Sequence, residues 1–285
     1  MSSEEVVDRV NEYYDECQVD YAMMWGTNDH LSMHYGYHDD ENRRLGDAVV
    51  NLNRVVADRA GVGEGDRVLD AGCGVGGSAI WLASERDAEV VGVNINANQI
   101  EKARRGAARH GVESRTEFHV ADYVDTGLED DSFDVVWLVE SACHAEDKTE
   151  LLREMYRVLR PGGRIVVADG LLGRRDLSES EREGVDAMLE GMAAPNLTTV
   201  AEFREALFDV GFEDVEFEDR FDSVLPSARR IYLMTVLTFP VALMLRLLRI
   251  RSETQWLHLK AAYHQYPMLK NGAWVHGLFR AVKPE

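Results

Sequence analysis

The chain has 285 residues, 45% of them hydrophobic, and a formal net charge of −20 from 51 acidic and 31 basic side chains. That is enough apolar material for a full core, as one large domain or a domain carrying an insertion, while so acidic a surface repels phosphate and speaks against a nucleic-acid partner. Cys17, Cys73 and Cys143 are odd in number and far apart, which argues against a disulfide scaffold or a metal centre and fits a reducing cytosol.

The opening MSSEEVVDRVNEYYDE is acidic and lacks the apolar run of a secretory leader, so a cytoplasmic location is expected. Its pattern predicts a helix from near Ser3 to Glu16, capped by Ser2 or Ser3. Residues 20–42 are dense in aromatics, His and Met without a clean period. A second amphipathic helix is expected from about Arg44 to Arg59, and GVGEGD at 61–66 turns it into a strand. From there strands are expected at Arg67–Ala71, Glu89–Asn94, Thr116–Val120, Asp134–Leu138 and Arg164–Asp169. Helices fall between them at Gly76–Ser84, Asn98–His110 and Thr149–Leu159. Apolar strands alternating with helices read as a parallel sheet covered on both faces. A sixth strand fits Glu213–Glu218 and a seventh Trp274–Val282, with an apolar insertion, Arg229–Asn271, between them.

From Ser223 onward there are nine basic residues and two acidic ones, a net of +7, which leaves −27 on residues 1–222. The stretch IYLMTVLTFPVALMLRLLRI at 231–250 has the length of a membrane span but carries Pro240 in its middle and Arg246 and Arg249 near its end. It reads as cap helices lining an apolar pocket, or helices lying on a membrane surface, which allows a peripheral membrane contact. Only five of the basic residues are Lys, and an Asp- and Glu-rich, Lys-poor surface points to adaptation to molar salt.

The stretch VLDAGCGVGGSAI at 68–80 follows the first of the alternating strands, and Gly72, Gly74 and Gly77 fit the dinucleotide pattern G-x-G-x-x-G. Three features favour a cofactor without a pyrophosphate. Asp70 stands directly before the loop, where it would repel phosphate. FHVADY puts Asp122 at the end of the third strand, suited to accept from an adenine amino group. LRPGG at 159–163 makes a turn into the fifth strand.

With VLDAGCGVGG, EDDSFDVVW and LRPGG in this order and spacing over roughly Asp66–Asp169, the chain resembles the class I S-adenosylmethionine-dependent methyltransferases. The resemblance implies a doubly wound, seven-stranded, mostly parallel Rossmann-like α/β sheet. It also implies S-adenosylmethionine as cofactor, held by Asp70, Gly72, Gly74 and Gly76 near its amino-acid portion and Asn94 near the ribose, with Gln99 close by. Asp122 would lie near the adenine, with Ile95 and Tyr123 against its faces. LVESACHAEDK at 138–148 resembles the corresponding segment of sterol C-methyltransferases, and tocopherol and phosphoethanolamine methyltransferases share parts of the pattern. On that footing Glu140 and His144 are candidate catalytic residues, Glu140 also facing the cofactor. One of Tyr13 and Tyr14 is expected in the core and the other, Tyr14, over the cofactor as a third catalytic candidate; Cys143 is expected to be structural. The expected division is a helical lid at 1–60, a cofactor core at 61–222, an apolar basic cap at 223–272 and a last core strand at 273–285. The acceptor implied is a small, lipophilic molecule of isoprenoid type, methylated on carbon, with a small polar amine or hydroxyl acceptor as the alternative and a non-catalytic cofactor-binding protein as a weaker one.

Overall fold

The computed structural model describes residues 3–25 and 31–285. Ser2 and residues 26–30 of the aromatic segment lie outside the described residues. The chain runs α1 (Ser3–Glu16), α2 (Gln18–Trp25), α3 (Leu45–Ala60), β1 (Arg67–Ala71), α4 (Gly77–Glu85), β2 (Glu89–Asn94), α5 (Ala97–His110), β3 (Thr116–Val120) and β4 (Phe133–Val139). A single 3-10 turn, Ala142–His144, leads to α6 (Lys148–Val158), β5 (Leu159–Leu172), α7 (Glu179–Gly191), α8 (Val200–Val210) and β6 (Glu213–Asp219). Two long helices, α9 (Phe221–Leu247) and α10 (Glu253–Lys270), precede β7 (Trp274–Val282).

The seven strands form one sheet in the order β3-β2-β1-β4-β5-β7-β6. The first five pair in parallel, and β7 is antiparallel to both β5 and β6. Side chains alternate across a strand, so each strand feeds both faces. Val68, Val90, Val135 and Val166 pack under α3, α4 and α5, whereas Leu69, Val91, Val136 and Val167 pack against α6 and α8. A third apolar cluster, drawn from α1, α2, α7, α9, α10 and the start of β7, sits beyond the carboxyl end of the sheet.

The strand and helix positions follow the sequence pattern closely, with two differences. The helix α3 was grouped with the N-terminal segment, but Leu52, Val56, Ala57 and Ala60 are buried in the sheet's own apolar cluster, with α3 packed on β5, β7 and α4; it lies in the sheet layer. β5 is much longer than Arg164–Asp169, because β7 pairs with it from Arg164 to Leu172. The helices α2, α7 and α8 were not among the expected elements, although α7 and α8 begin with full capping boxes, Ser178 with Glu181 and Thr199 with Glu202.

Between β1 and β4 the chain direction of winding reverses, and the loops after these two strands open a crevice at the carboxyl edge. This is where the glycine loop and the Glu140–His144 segment meet.

Candidate active site

The loop after β1 is shaped by glycine. Gly72 has φ +88°, and a Cβ placed on it would lie 2.4 Å from Ser141 Cβ. Ser141 is pinned in turn, its hydroxyl donating to Ala71 O at 2.7 Å while its carbonyl accepts from Tyr123 Oη at 3.0 Å. The loop is thus pressed against the segment after β4, and only glycine fits between them.

Above this contact lies a cavity of about 270 Å³. Asp70, Gly72, Gly74, Asn94, Ile95, Gln99, Asp122, Tyr123, Glu140, Tyr14 and His144 all line it. Gly76 does not. It stands at the N-terminus of α4 with φ +86°, where a Cβ would sit 2.8 Å from Ala103 Cβ; it is a packing glycine between the loop and α5, and Gly77 takes the place at the cavity wall. Asn94 donates to Gln99 Oε1 at 2.6 Å, so the two side chains act as one polar edge. Asn96, two residues further on, caps α5 by accepting from Gln99 N.

Asp70 is almost fully buried, and burial raises its carboxyl to about 7. Such a carboxyl favours a cationic neighbour. The donor and acceptor set fits S-adenosylmethionine: a carboxyl for an ammonium, a paired amide edge and the Asp122 carboxylate for hydroxyls or an amine, and Ile95 and Tyr123 as apolar walls. No phosphate-binding group is among them.

A smaller chamber of about 50 Å³ adjoins the first and shares Tyr14, Met33, Glu140 and His144 with it. Its walls are Tyr13, Tyr21, Tyr35 and Trp274, with Met188, Leu189 and Met192 from the end of α7. Tyr14 Oη and His144 Nε2 are 3.0 Å apart, joining the N-terminal helix to the segment after β4. Burial lowers His144 to about 4 and holds the Tyr14 hydroxyl well above its ordinary value, so at neutral pH both are uncharged. Tyr13 is the core member of the tyrosine pair, bonded to Tyr21 Oη at 2.8 Å and His258 Nδ1 at 3.0 Å.

Glu140 has φ +49°, an uncommon conformation for a residue with a side chain. Its backbone N–H donates to Ala168 O at 2.8 Å, and Oε1 accepts from Tyr35 N at 2.8 Å and lies 3.1 Å from His276 Nε2. The surroundings therefore hold a strained backbone in place. Asp169, also facing the chamber, accepts from Cys143 N and Gly170 N, and burial, reinforced by Glu140, raises it to about 6. Cys143 lines the chamber with its thiol pushed well up by burial, as suits an unreactive wall.

The sequence did not mark His276, Asp169, Tyr35 or Trp274 as site residues. The available signal was a histidine at an inward register position of the apolar strand WVHGLF, where a buried polar group needs a partner.

Residues 69–167 match the Methyltransferase domain family. The chain is 36% identical over 205 residues to the 27-O-demethylrifamycin SV methyltransferase of Amycolatopsis mediterranei, covering 72% of this chain and 73% of that protein. It is 34% identical over 212 residues to the sterol 24-C-methyltransferase of Aspergillus fumigatus, covering 74% of this chain and 55% of that longer protein. In fold it resembles a geranyl diphosphate methyltransferase solved with its substrate and sinefungin, at a TM-score of 0.77 and 22% identity over 98% of this chain and 99% of that one. The glycine cradle, the doubly wound sheet and these relatives lead to one conclusion: the chain belongs to the class I S-adenosylmethionine-dependent methyltransferases and is an enzyme that uses S-adenosylmethionine.

Proposed function

We propose that the enzyme methylates a lipophilic acceptor of isoprenoid type on carbon, with the reacting end of the acceptor inside the small chamber. The observation that carries this is the composition of that chamber: four tyrosines and Trp274 around a neutral His144, closed by methionines and leucines. Bound S-adenosylmethionine supplies an electrophilic methyl group. Asp70 and Gly72 receive its amino-acid portion, Asn94 and Gln99 its ribose, and Asp122, Ile95 and Tyr123 its adenine.

The chain's own residues then have three tasks. The aromatic faces orient an alkene or ring and stabilise the positive charge that develops on carbon when it is alkylated. His144, uncharged and at the junction of both cavities, accepts the proton that the cationic product must lose. Tyr14 positions the imidazole through its hydroxyl, and Glu140, fixed by Tyr35 and His276, places a negative charge beside the developing cation. A relative named for a sterol supports an acceptor of this class.

A second reading has its own observation. Glu140 and Asp169 put two carboxyl groups into an aromatic-walled chamber, which also suits a small ammonium substrate, and another relative is a sarcosine/dimethylglycine N-methyltransferase from Halorhodospira halochloris. Incubation with methyl-labelled S-adenosylmethionine and a panel of prenylquinones, sterol-type alkenes and sarcosine-type amines separates the two. Label in the organic phase, on carbon, is expected; label confined to the amines rejects the lipophilic reading.

A further inference from the structure

We infer that the enzyme docks on an anionic lipid bilayer through the outer half of α9, a property that does not depend on which acceptor the chamber takes. α9 begins inside the molecule, where Val224, Ala228 and Ile231 join the apolar cluster beyond the sheet edge. Further along, it leaves that cluster. Leu233, Leu237, Val241, Met244, Leu247 and Leu248 are all exposed, Leu237 and Leu247 by 79% and 75%. At roughly 100° per residue these six fall within an arc of about 120°. On the opposite side Thr235 and Ala242 are buried. An apolar stripe therefore runs along the outward face of a helix that touches the rest of the molecule along a narrow line.

That packing decides how the helix meets a membrane. α9 is long and apolar enough to span a bilayer. But Tyr232 stacks on Tyr263 and Tyr266, and Phe239 on Trp256, so α9 is fastened along its length to α10. It lies in the interface with its stripe turned outward instead of crossing.

Charge selects the partner. Residues 223–252 contain five arginines and no acidic residue, in a chain whose first 222 residues carry −27. Arg229 and Arg230 stand at one end of the stripe and Arg249 and Arg251 at the other. Arg230 reaches Met24 O and Arg251 pairs with Asp20, while Arg229 and Arg249 are exposed. The stripe ends in a turn, Leu248–Ile250, with Arg249 at φ +57° and both Leu248 and Ile250 exposed. An exposed apolar stripe between cationic ends fits anionic headgroups over acyl chains. A second copy of the chain would instead bring the same arginines against each other.

Flotation with vesicles of phosphatidylcholine alone, or of phosphatidylcholine and phosphatidylglycerol in equal parts, tests this. The wild-type protein should float with the mixed vesicles. The double variant Leu237→Ser, Leu247→Ser should partition on the order of tenfold less or weaker. Arg229→Gln with Arg249→Gln should lose most of the preference for the anionic vesicles. Wild type and both double variants should bind S-adenosylhomocysteine equally by calorimetry, which shows that the fold is intact. A wild-type protein that stays in the soluble fraction with both vesicle types overturns the inference. So does a wild-type dimer in native mass spectrometry that the leucine double variant splits, because the stripe would then be covered by a second copy. Neither outcome bears on methyl transfer to a soluble acceptor, so failure here is distinct from failure of the acceptor reading.

Discussion

At the scale of single residues, burial sets the chemistry. His144 is lowered to about 4, so the imidazole is available as a base wherever the pH exceeds about 4. With cofactor saturating at every pH, kcat should therefore stay level from pH 8 down to about 5, then fall; under that condition an acid limb centred near the ordinary histidine value of roughly 6.5 would show that His144 is not the base. The same shift has a consequence for stability. An imidazole that titrates at 6.5 when unfolded and about 4 when folded takes up its proton more readily in the unfolded chain; its contribution is complete above 6.5 and is lost as the pH falls toward 4. His144→Ala and Tyr14→Phe should each reduce kcat, the former by about 10²-fold, with smaller changes in cofactor affinity measured by titration. Asp70 runs in the opposite sense. Its carboxyl, raised to about 7, holds a proton in the empty folded enzyme and must release it to meet an ammonium. Affinity for S-adenosylmethionine should rise as the pH passes through about 7, with proton release visible as buffer-dependent heat in calorimetry, and Asp70→Asn should abolish that dependence. His144, Glu140 and Asp70 could be placed at the cavity from the sequence because they sit in two short motifs, LVESACHAEDK and VLDAGCGVGG. His276 and Asp169 were not, because their meaning comes from β5 and β7 lying side by side, a pairing between residues about a hundred positions apart.

At the scale of elements, two glycines of one loop should separate binding from packing. Gly72→Ala drives a methyl group into Ser141, whose carbonyl holds Tyr123 at the cavity wall; it should abolish S-adenosylmethionine binding in a calorimetric titration. Gly76→Ala meets Ala103 on α5 at a positive φ. It should lower the thermal midpoint, at a cost on the order of 1–3 kcal/mol, while the folded protein still binds cofactor. If the two variants behaved alike, the assignment of Gly72 to the cavity and Gly76 to the helix contact would be wrong. The strands of the sheet were legible as short apolar runs between turn signals, and the helices α3 to α6 as amphipathic ones. The helix α10 was harder. It packs against α7, α9 and the tyrosine cluster, so its apolar residues are spread around the helix and give little periodicity. What the sequence showed there was composition, an apolar and basic stretch expected to line a pocket; among the described residues neither cavity takes any wall residue from 223–272, and the C-terminal wall of the chamber comes from β7 instead.

For the whole molecule, the distribution of charge is the property least visible in any single contact. Several ion pairs among the described residues are between exposed side chains and contribute little singly. The net charge of −20 acts collectively, and screening governs how strongly it repels itself. Far-UV circular dichroism should show the protein losing structure as salt falls from molar to millimolar; full structure in a dilute buffer would remove the reading of a salt-adapted surface. Fold class was legible at this scale because the alternation of strand and helix is a global pattern that admits few topologies. Acceptor identity was not, since it rests on a chamber assembled from five separate parts of the chain.

The position of β7 between β5 and β6 ties the active site to the order in which the chain is made. During synthesis the parallel half of the sheet, β1 to β5, can form with its glycine loop as soon as those residues have emerged. The chamber cannot: Trp274 and His276 are among its walls and supports, and they are delivered by the last strand to appear. On the acceptor reading proposed above, the acceptor side of the site is complete only when β7 lies between β5 and β6 and His276 stands beside Glu140.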